Sequence, residues 1–388
     1  MRKTTLLLTL LLSCIIATVQ IRTIPPVKAV DVVVIPLPED AIPLGITWDG
    51  GDYVYAVSYW YGALYKLDKE NRSLVATYYP RGENSSPCLR GICIGPNNTV
   101  WISGGSIIAR FDPETETFTE VDGLERAFYK WVTYYYSYIW AVSARGKLYK
   151  IDPDTTQIIE IFTVPGNLIY CKPDGSYLWI TDIVGGRLHK FNVETETLEQ
   201  TYEGFERPLG IEVDSQFVYV AENVAPPEPT DEYGKIAKLD KQTGNITRIS
   251  TNAKITREGP YFLMFDLYGS LWWTDNSNHY GVITPTGETY VYDSSSPYCY
   301  YMTAVRGSFE VWLSATGASS HIYVIDIPLG DITRDGKIDM RDLAIVARSF
   351  GTYPSHPDWN PEADIIEDGK IDMRDLATVA RNFGKLVY

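Results

Sequence analysis

The sequence predicts a mainly β protein: a seven-bladed β-propeller followed by a small α-helical domain. A strand–turn–strand pattern, written LWITDIVGGRLHKFN between Leu178 and Asn192, occurs seven times at spacings of 40 to 48 residues. A second, acidic twelve-residue pattern occurs twice near the C-terminus. A period in the forties built from short strands is typical of propeller blades. The seven copies end at Asp68, Asp112, Asp152, Asn192, Asp240, Thr284 and Asp326.

Composition agrees with a large β core. The chain has 388 residues, of which 45% are hydrophobic and 13% aromatic, and its formal net charge is -15. Aromatic residues favour strands. Nucleic acid is excluded as an expected partner, because a phosphate backbone binds a surface rich in lysine and arginine.

The N-terminus has the pattern of a targeting segment. Arg2 and Lys3 precede an apolar run from Leu6 to Val19, and Val27-Lys28-Ala29 offers a small-residue cleavage site. Residues 1–29 are therefore interpreted as a signal peptide, and the protein is expected to be secreted or to lie at the cell surface. Whether the segment is cleaved stays open, and no other stretch could span a membrane. The disulfide pairing of Cys88, Cys93, Cys171 and Cys299 also stays open.

Residues 31–328 are predicted to form the propeller, with four strands in each blade. The first blade is predicted at Leu44 to Trp48, Tyr53 to Ser58, Ala63 to Leu67 and Leu74 to Tyr79. The seventh blade lacks a fourth strand, because the pattern changes at Pro328-Leu329-Gly330. The strand-like segment Asp31 to Pro36 has no blade of its own, and we expect it to pair on the outside of blade seven and close the ring.

The segments PLGITWDG, from Pro43 to Gly50, and RPLGIEVD, from Arg207 to Asp214, make the repeat resemble propellers of the streptogramin (virginiamycin B) lyase and NHL types. The resemblance implies a seven-bladed ring. In the enzymes of that family it further implies a divalent metal and a histidine at the mouth of the channel. The matching positions after the second strands hold three carboxylates on blades four to six and one nearby histidine, namely Asp182, Glu222, Asp275 and His279.

These four residues are the candidate catalytic site. Such a cluster could hold Mg²⁺ or Ca²⁺ through oxygen ligands while a neutral imidazole removes a proton. The alternative is that the carboxylates are solvated turn residues, as Asp often is after a strand.

Aromatic clusters suggest a second kind of site. Tyr59-Trp60-Tyr61, Tyr134-Tyr135-Tyr136 and the group Tyr298, Tyr300 and Tyr301 are placed near strand ends. Such rings can stack on sugar faces, which would give a glycan-binding surface, or they can simply pack in strands. The Pro-rich insertion from Asn223 to Tyr233 is interpreted as a surface loop that could act as a lid.

The acidic repeats have the spacing of EF-hand-type calcium loops. DITRDGKIDMRD begins at Asp331 and DIIEDGKIDMRD begins at Asp364, and each has glycine at position 6, where such a loop turns sharply. Two Ca²⁺ sites are predicted, and the second is expected to be weaker because Ile366 offers only its backbone at position 3. The predicted ligands are Asp331, Thr333, Asp335, Lys337 (through its carbonyl), Asp339 and Asp342 in the first loop, and Asp364, Asp368, Lys370 (through its carbonyl), Asp372 and Asp375 in the second.

An amphipathic helix is predicted after each loop, with apolar stripes that end at Phe350 and Phe383. The two stripes are expected to be buried against each other. Two loops that each precede one helix resemble the type I dockerin module, here residues 330–388. The resemblance implies calcium-dependent docking to a cohesin-like domain or surface scaffold. It assigns partner recognition to loop positions 10 and 11, which are Met340, Arg341, Met373 and Arg374.

The sequence therefore predicts an exported recognition protein. Its propeller would bind a glycan or another surface ligand, and its dockerin-like module would tether it. The alternative is a tethered metal-dependent lyase or hydrolase that acts on a polysaccharide or a streptogramin-like substrate.

Overall fold

The computed structural model describes residues 32–387 apart from 39–40, 84, 86, 225–232, 267, 295, 306–309, 318–319, 367 and 386. The predicted signal peptide and most of the predicted lid lie outside these described residues. The described chain forms seven four-stranded antiparallel sheets and two α-helices. The prediction of a seven-bladed propeller is confirmed. Neither helix is long and apolar enough to cross a bilayer.

Blades one to six are each built from four strands that are consecutive in the chain. From the innermost strand outward, blades one to three are β2–β5 (Pro43–Trp48, Tyr53–Ser58, Leu64–Asp68, Ser73–Tyr78), β6–β9 (Leu89–Ile94, Val100–Gly104, Ile107–Asp112, Thr117–Glu120) and β10–β13 (Tyr129–Tyr135, Tyr138–Ser143, Lys147–Ile151, Ile158–Thr163). Blades four to six are β14–β17 (Leu168–Asp174, Tyr177–Asp182, Arg187–Asn192, Thr197–Glu203), β18–β21 (Pro208–Val213, Phe217–Glu222, Tyr233–Asp240, Ile246–Lys254) and β22–β25 (Pro260–Phe265, Leu271–Asp275, His279–Ile283, Thr289–Asp293).

The seventh blade joins the two ends of the propeller. It contains β26–β28 (Tyr298–Val305, Glu310–Thr316, Ser320–Asp326), and its outermost strand is β1 (Val32–Pro36), which pairs antiparallel with β28. The sequence analysis placed residues 31–36 in this position. Strand β1 is therefore the fourth strand of blade seven, and it covers the edge of β28.

The seam between blades seven and one is also held by polar contacts. Arg72, in the turn between β4 and β5, pairs with Glu310 at 2.6 Å and with Asp326. The Ser314 hydroxyl donates to the Leu44 carbonyl at 2.7 Å. These contacts add to the chain connection from β1 in blade seven to β2 in blade one.

The core lies between the blades. The first strands of consecutive blades contact one another, β26 and β2 included, so these strands line the central axis. Each second strand buries a tryptophan or tyrosine that is at most 8% exposed. Large aromatic rings fill the wedge between twisted sheets well. The residues are Tyr55, Trp101, Trp140, Trp179, Tyr219, Trp272 and Trp312.

The C-terminal domain is a pair of similar halves. Helix α1 spans Met340–Arg348 and helix α2 spans Met373–Asn382, and the short 3-10 helix Pro361–Ala363 precedes the second acidic loop. Each half pairs with the segment after the other helix. The amide of Ile338 donates to the Lys385 carbonyl at 3.1 Å, and the amide of Ile371 donates to the Thr352 carbonyl at 3.1 Å. Val346 and Val379 are fully buried between the helices.

The helix stripes differ from the prediction at their ends. Phe350 and Phe383 were expected to be buried, but they are 46% and 48% exposed. Gly351 and Gly384, directly after them, have φ values of 82°. The left-handed turn that ends each helix directs the phenylalanine ring to the surface instead of the core.

Closure by β1 predicts a position-specific loss of stability. Ile35 is 2% exposed, whereas its neighbour Val34 is 51% exposed. The Ile35→Ala substitution should lower the free energy of unfolding by about 2 to 4 kcal/mol, since it removes buried methyl groups and leaves a cavity. The matched Val34→Ala substitution should change it by less than about 0.5 kcal/mol. Urea denaturation followed by tryptophan fluorescence measures both, and equal effects would contradict a structural role for β1.

Candidate functional site

The same irregularity is present near the start of every innermost strand. In each one the antiparallel register shifts within the first four residues, so at least one residue has no Cα partner on the second strand. A bulge of this kind redirects a side chain and bends the strand. The bulged side chains, one from each blade, form a ring around a cavity at one end of the central axis. They are Leu44, Arg90, Lys130, Ile169, Leu209, Tyr261 and Tyr300.

We call this cavity the cup. Its volume is about 460 Å³. Beneath the ring, at the next position of four innermost strands, are aromatic side chains that are each at most 7% exposed. Trp131 lies 4.3 Å from Tyr170, 5.1 Å from Tyr301 and 6.2 Å from Phe262, measured between ring centroids. These rings, which we call the aromatic floor, pack against one another below the cup, and the residues that line the cavity do not include them.

Glycines leave room for the floor. At the same position blades one, two and five have Gly45, Gly91 and Gly210. A Cβ atom on Gly91 would lie 2.8 Å from the Trp131 Cα atom, and one on Gly210 would lie 2.8 Å from the Phe262 Cα atom. Three glycines and four aromatic residues therefore share the space around the axis. Large side chains on all seven blades would not fit there.

Two cations project from the ring. The Arg90 guanidinium lies 5.0 Å from the centroid of the Tyr59 ring, and its Nη1 atom is 3.5 Å from the Tyr261 hydroxyl across the cup. Lys130 is on the neighbouring blade, with its Nζ atom 5.2 Å from the Phe128 ring centroid. The ion pairs of the described residues include neither of these two cations, and the carboxylate in the cup lining, Glu258, is paired with Arg207.

The charge of the cup follows from the surroundings of Arg90 and Lys130. Burial lowers the pKa of Lys130 to about 8, and the positive charge of Arg90 contributes in the same direction. At the rim, Arg207 is 3.7 Å from Glu258 and so has a partner of opposite charge. Arg90 and Lys130 therefore give the cup its positive charge.

The predicted aromatic clusters divide between the two faces of the propeller. Tyr59, Trp60 and Tyr300 line the cup, and Trp60 is 56% exposed at its rim. Tyr136 follows β10 at the opposite end of its blade, where its hydroxyl donates to Glu194 at 2.8 Å. Only some residues of the predicted aromatic clusters therefore line the cup.

The three predicted catalytic carboxylates are buried at the ends of second strands, just behind the cup wall. Asp182 accepts the amide of Asn167 at 2.8 Å and pairs with Arg187 at 2.8 Å. Asp182 also accepts the Gly185 amide at 3.1 Å. The Asn167 and Arg187 contacts join the loop before the innermost strand to the third strand of the same blade.

Glu222 has equivalent partners in blade five. It accepts the amide of Glu206 at 2.9 Å and pairs with Arg248 at 2.7 Å. Asp182 and Glu222 are therefore not solvated turn residues, which was the other interpretation of the sequence. Each one already has a cation and a backbone donor.

Asp275 and His279 are the one pair of candidate residues that the structure brings into contact. The His279 Nδ1 atom lies 2.9 Å from Asp275, which also accepts the amides of Ser277 and His279 at 2.8 Å each. Burial raises the pKa of Asp275. Burial alone would lower the pKa of His279, but the hydrogen bond and charge of Asp275 raise it.

A catalytic role for the four candidate residues stays a prediction. Among the residues that the structure describes, in the propeller and in the acidic loops alike, no three His, Cys, Asp or Glu side chains converge as a metal shell. Arg90 and Lys130, which the sequence analysis did not select, line the cup together with the Arg207–Glu258 pair. The sequence feature that could have identified them is their position. Each is the second residue of an innermost strand, where the other blades have an apolar or aromatic residue.

The acidic loops have closely similar geometry. Asp331 accepts the amide of Gly336 at 2.8 Å, and Asp364 accepts the amide of Gly369 at 2.9 Å. Both glycines are left-handed, with φ values of 81° and 80°. This is the sharp turn at position 6 that a calcium loop requires.

The last carboxylate of each loop is buried. Asp342 is 0% exposed and Asp375 is 1% exposed, and each accepts the amide of the helix N-cap residue at 2.8 Å. The ion pairs of the described residues do not include either carboxylate. Burial raises the pKa of Asp331, and the nearby charges of Asp342 and Asp335 add to the effect. Buried carboxylates with this mutual repulsion fit a divalent cation.

Position 3 separates the two loops. The Thr333 hydroxyl lies 3.0 Å from Asp342 and 3.3 Å from Asp331, so its oxygen faces into the loop. In the second loop, Ile366 contributes its amide, which donates to Asp375 at 3.1 Å, and the residue is 42% exposed.

Residues 329–384 match the dockerin type I domain. The loop geometry and the match agree on the same segment. The four residues predicted to recognise a partner lie at the surface of this domain. Met340 and Met373 are each 62% exposed, and the side chains of Arg341 and Arg374 are each 60% exposed.

The propeller is similar to solved lyase structures. One described as a streptogramin B lyase has a TM-score of 0.64 and 17% identity, and the match covers 76% of this chain and 97% of the other. A catalytically inactive variant of virginiamycin B lyase from Staphylococcus aureus, solved with quinupristin, has a TM-score of 0.65 and 15% identity over 76% and 99% of the two chains. The selenomethionine form of that enzyme has a TM-score of 0.64 and 14% identity over 77% and 99%. These likenesses show a shared fold. No curated protein matches the sequence.

The cup makes a direct prediction about Lys130. In a ¹³C-methylated sample followed by NMR, its amine should titrate near pH 8, whereas exposed lysines titrate near about 10.4. The Arg90→Gln substitution should raise the Lys130 pKa part of the way to that value, because it removes the neighbouring positive charge. Titration of Lys130 with the exposed lysines would contradict the placement of both cations in the cup.

Proposed function

We propose that this protein is an extracellular recognition module in which the propeller binds a glycan in the cup and the dockerin domain docks to a cohesin-like partner in a calcium-dependent way. The observation that supports glycan binding is the ring of redirected side chains, together with the aromatic rings of Tyr59, Trp60, Tyr261 and Tyr300 that line the same cavity. Apolar faces with a few polar groups suit the faces and hydroxyls of sugars. Proteins with dockerin domains are typically extracellular, which agrees with the predicted signal peptide.

The contacts favour recognition over metal-dependent catalysis in the propeller. A metal held by Asp182, Glu222 and Asp275 would have to displace Arg187, Arg248 and the His279 contact. Breaking a buried ion pair costs about 3 to 5 kcal/mol. The lyase or hydrolase predicted as the alternative would therefore start from carboxylates that already stabilise the fold.

In the dockerin domain, Arg341 and Arg374 contact carboxylates that would also bind calcium. Arg341 pairs with Asp339 at 2.8 Å and contacts Asp335, and Arg374 contacts Asp372 and Asp368 in the same way. Ca²⁺ bound in a loop would provide the positive charge that orders these carboxylates. The guanidinium and the cation compete for the same position 5 carboxylate, so a loaded loop leaves the arginine available to a cohesin-like surface.

Two copies of this surface would allow two docking orientations. Met340 and Arg341 in one half correspond to Met373 and Arg374 in the other, and Phe350 corresponds to Phe383. Exposed methionine and phenylalanine side chains on a small domain are typical of a binding surface.

The two loops should bind calcium with different affinities. Isothermal titration calorimetry of the full chain should show two unequal sites, because Thr333 directs a hydroxyl oxygen into its loop and Ile366 does not. The reciprocal substitutions are matched controls. Thr333→Ile should weaken the first site by about 10-fold and Ile366→Thr should strengthen the second by a similar factor, which corresponds to about 1.4 kcal/mol. Equal wild-type affinities would contradict this account of position 3.

Glycan binding in the cup is tested at its exposed rim. On a glycan microarray the full chain should bind, and Trp60→Ala should weaken binding by about 10-fold through loss of a stacking face. Tyr136→Ala removes an exposed ring at the opposite face and should leave binding unchanged. A chain that binds no glycan, or one that is affected equally by both substitutions, would contradict the proposed function.

A further inference from the structure

A second cavity lies between blades two and three. Its volume is about 600 Å³, and its lining includes Arg81, Arg126, Phe128 and Arg145. These residues come from the loops before the innermost strands and after the second strands, which are also the loops that surround the cup. The second cavity therefore opens on the same face of the propeller, and we call it the blade groove.

One contact joins the two cavities. The Lys130 Nζ atom, which lines the cup, lies 5.2 Å from the centroid of the Phe128 ring, which lines the groove. Phe128 is 56% exposed, so its ring offers a free face at this junction. A chain molecule that leaves the cup over Lys130 would pass directly onto Phe128.

The charge of this path is opposite to that of the protein. The chain carries a net charge of -15, yet the groove lining contains three arginines and no aspartate or glutamate among the described residues. Arg81 is paired with Glu120 at 2.7 Å. The other ion pairs of the described residues include neither Arg126 nor Arg145, and both side chains are exposed.

With the two cup cations, four positive groups lie along one path without a carboxylate partner among the residues that the structure describes. They are Arg90, Lys130, Arg126 and Arg145. A series of cations with interleaved aromatic faces fits a polymer that carries regularly spaced negative groups on ring-shaped units. Neutral sugars would use the aromatic faces but would leave these charges without a function.

We propose, on the basis of the glycan-binding function above, that the ligand is an acidic polysaccharide whose carboxylate or sulfate groups occupy the cup and the blade groove in sequence. One acidic unit sits in the cup beside Arg90 and Lys130, against the aromatic side chains that line the cavity. The next units extend over Phe128 towards Arg126 and Arg145. A nucleic acid is a poorer fit, because four cations on a chain of net charge -15 offer little counterion release.

The test compares oligosaccharides that differ in charge and length, with the full chain in calcium. The probes are galacturonic acid, hexagalacturonate, its methyl ester, a heparin hexasaccharide and a dT decamer. One of the two acidic hexasaccharides should bind at least about 10-fold more tightly than the neutral ester at about 50 mM salt, and the difference should shrink at about 200 mM. The better of the two identifies carboxylate or sulfate as the recognised group.

Paired substitutions separate the cup from the groove. Arg126→Gln with Arg145→Gln should weaken the acidic hexasaccharide by about 10-fold and leave the monosaccharide unchanged, since only the longer ligand reaches these arginines. Arg90→Gln with Lys130→Gln should weaken both ligands. Arg348→Gln with Lys385→Gln makes the same change in net charge in the dockerin domain and should weaken neither.

Each result that contradicts the proposal identifies the part of it that is wrong. Equal binding of the acidic hexasaccharide and its ester, tightest binding of the dT decamer, or no binding of any acidic probe would overturn the acidic-ligand inference. Binding of a neutral glycan that is lost in Trp60→Ala would then still support the proposed function. Loss of binding in the cup variant but not in the groove variant would overturn the extended path alone.

Discussion

The bulge in each innermost strand is the constraint on which the proposed site depends. A regular strand alternates its side chains between the two faces of its sheet, so in a propeller they would point towards the neighbouring blades. The register shift redirects one residue per blade, such as Arg90 or Tyr261, into the cup. The aromatic floor depends on the same irregularity, because the next residue, such as Trp131, then packs across the axis. The fold therefore provides seven nearly equivalent positions, and their residue types decide what the cup can bind.

Four buried acidic residues fall into two groups that differ in their charged partners. Asp182 and Glu222 are buried with an arginine, so their charges are compensated by the protein itself. Asp342 and Asp375 are buried without such a partner among the described residues, and their loops repeat the geometry of a calcium site. This contrast supports the proposal that the propeller carboxylates stabilise the fold and that the dockerin carboxylates bind calcium.

Much of the architecture could be predicted from the sequence, because it is encoded in local patterns. The period of the strand–turn–strand motif indicates the blades, and the glycines at position 6 of the acidic loops have the left-handed conformation that their motif requires. The cup could not be predicted in the same way. A bulge is a difference in register between two strands, and a period-two pattern in one strand does not reveal it.

The sequence analysis therefore selected the conspicuous carboxylates after the second strands and did not select Arg90 and Lys130. The partners of those carboxylates were not evident, since Arg248 is 26 residues away from Glu222 in the chain. Phe350 and Phe383 fit the helical period but fall where the helix has already ended, so their burial was predicted wrongly. In each case the deciding factor was a contact or a turn outside the local pattern.

The most direct measurement is an experimental structure of the chain with an acidic oligosaccharide bound. The account predicts density in the cup, with a negatively charged group of the sugar at hydrogen-bond distance, about 3 Å, from Arg90 or Lys130. It also predicts a sugar ring against an aromatic residue of the cavity lining, such as Tyr261 or Trp60. Density for the sugar on the opposite face, or innermost strands that pair without a bulge and direct other side chains to the axis, would contradict it.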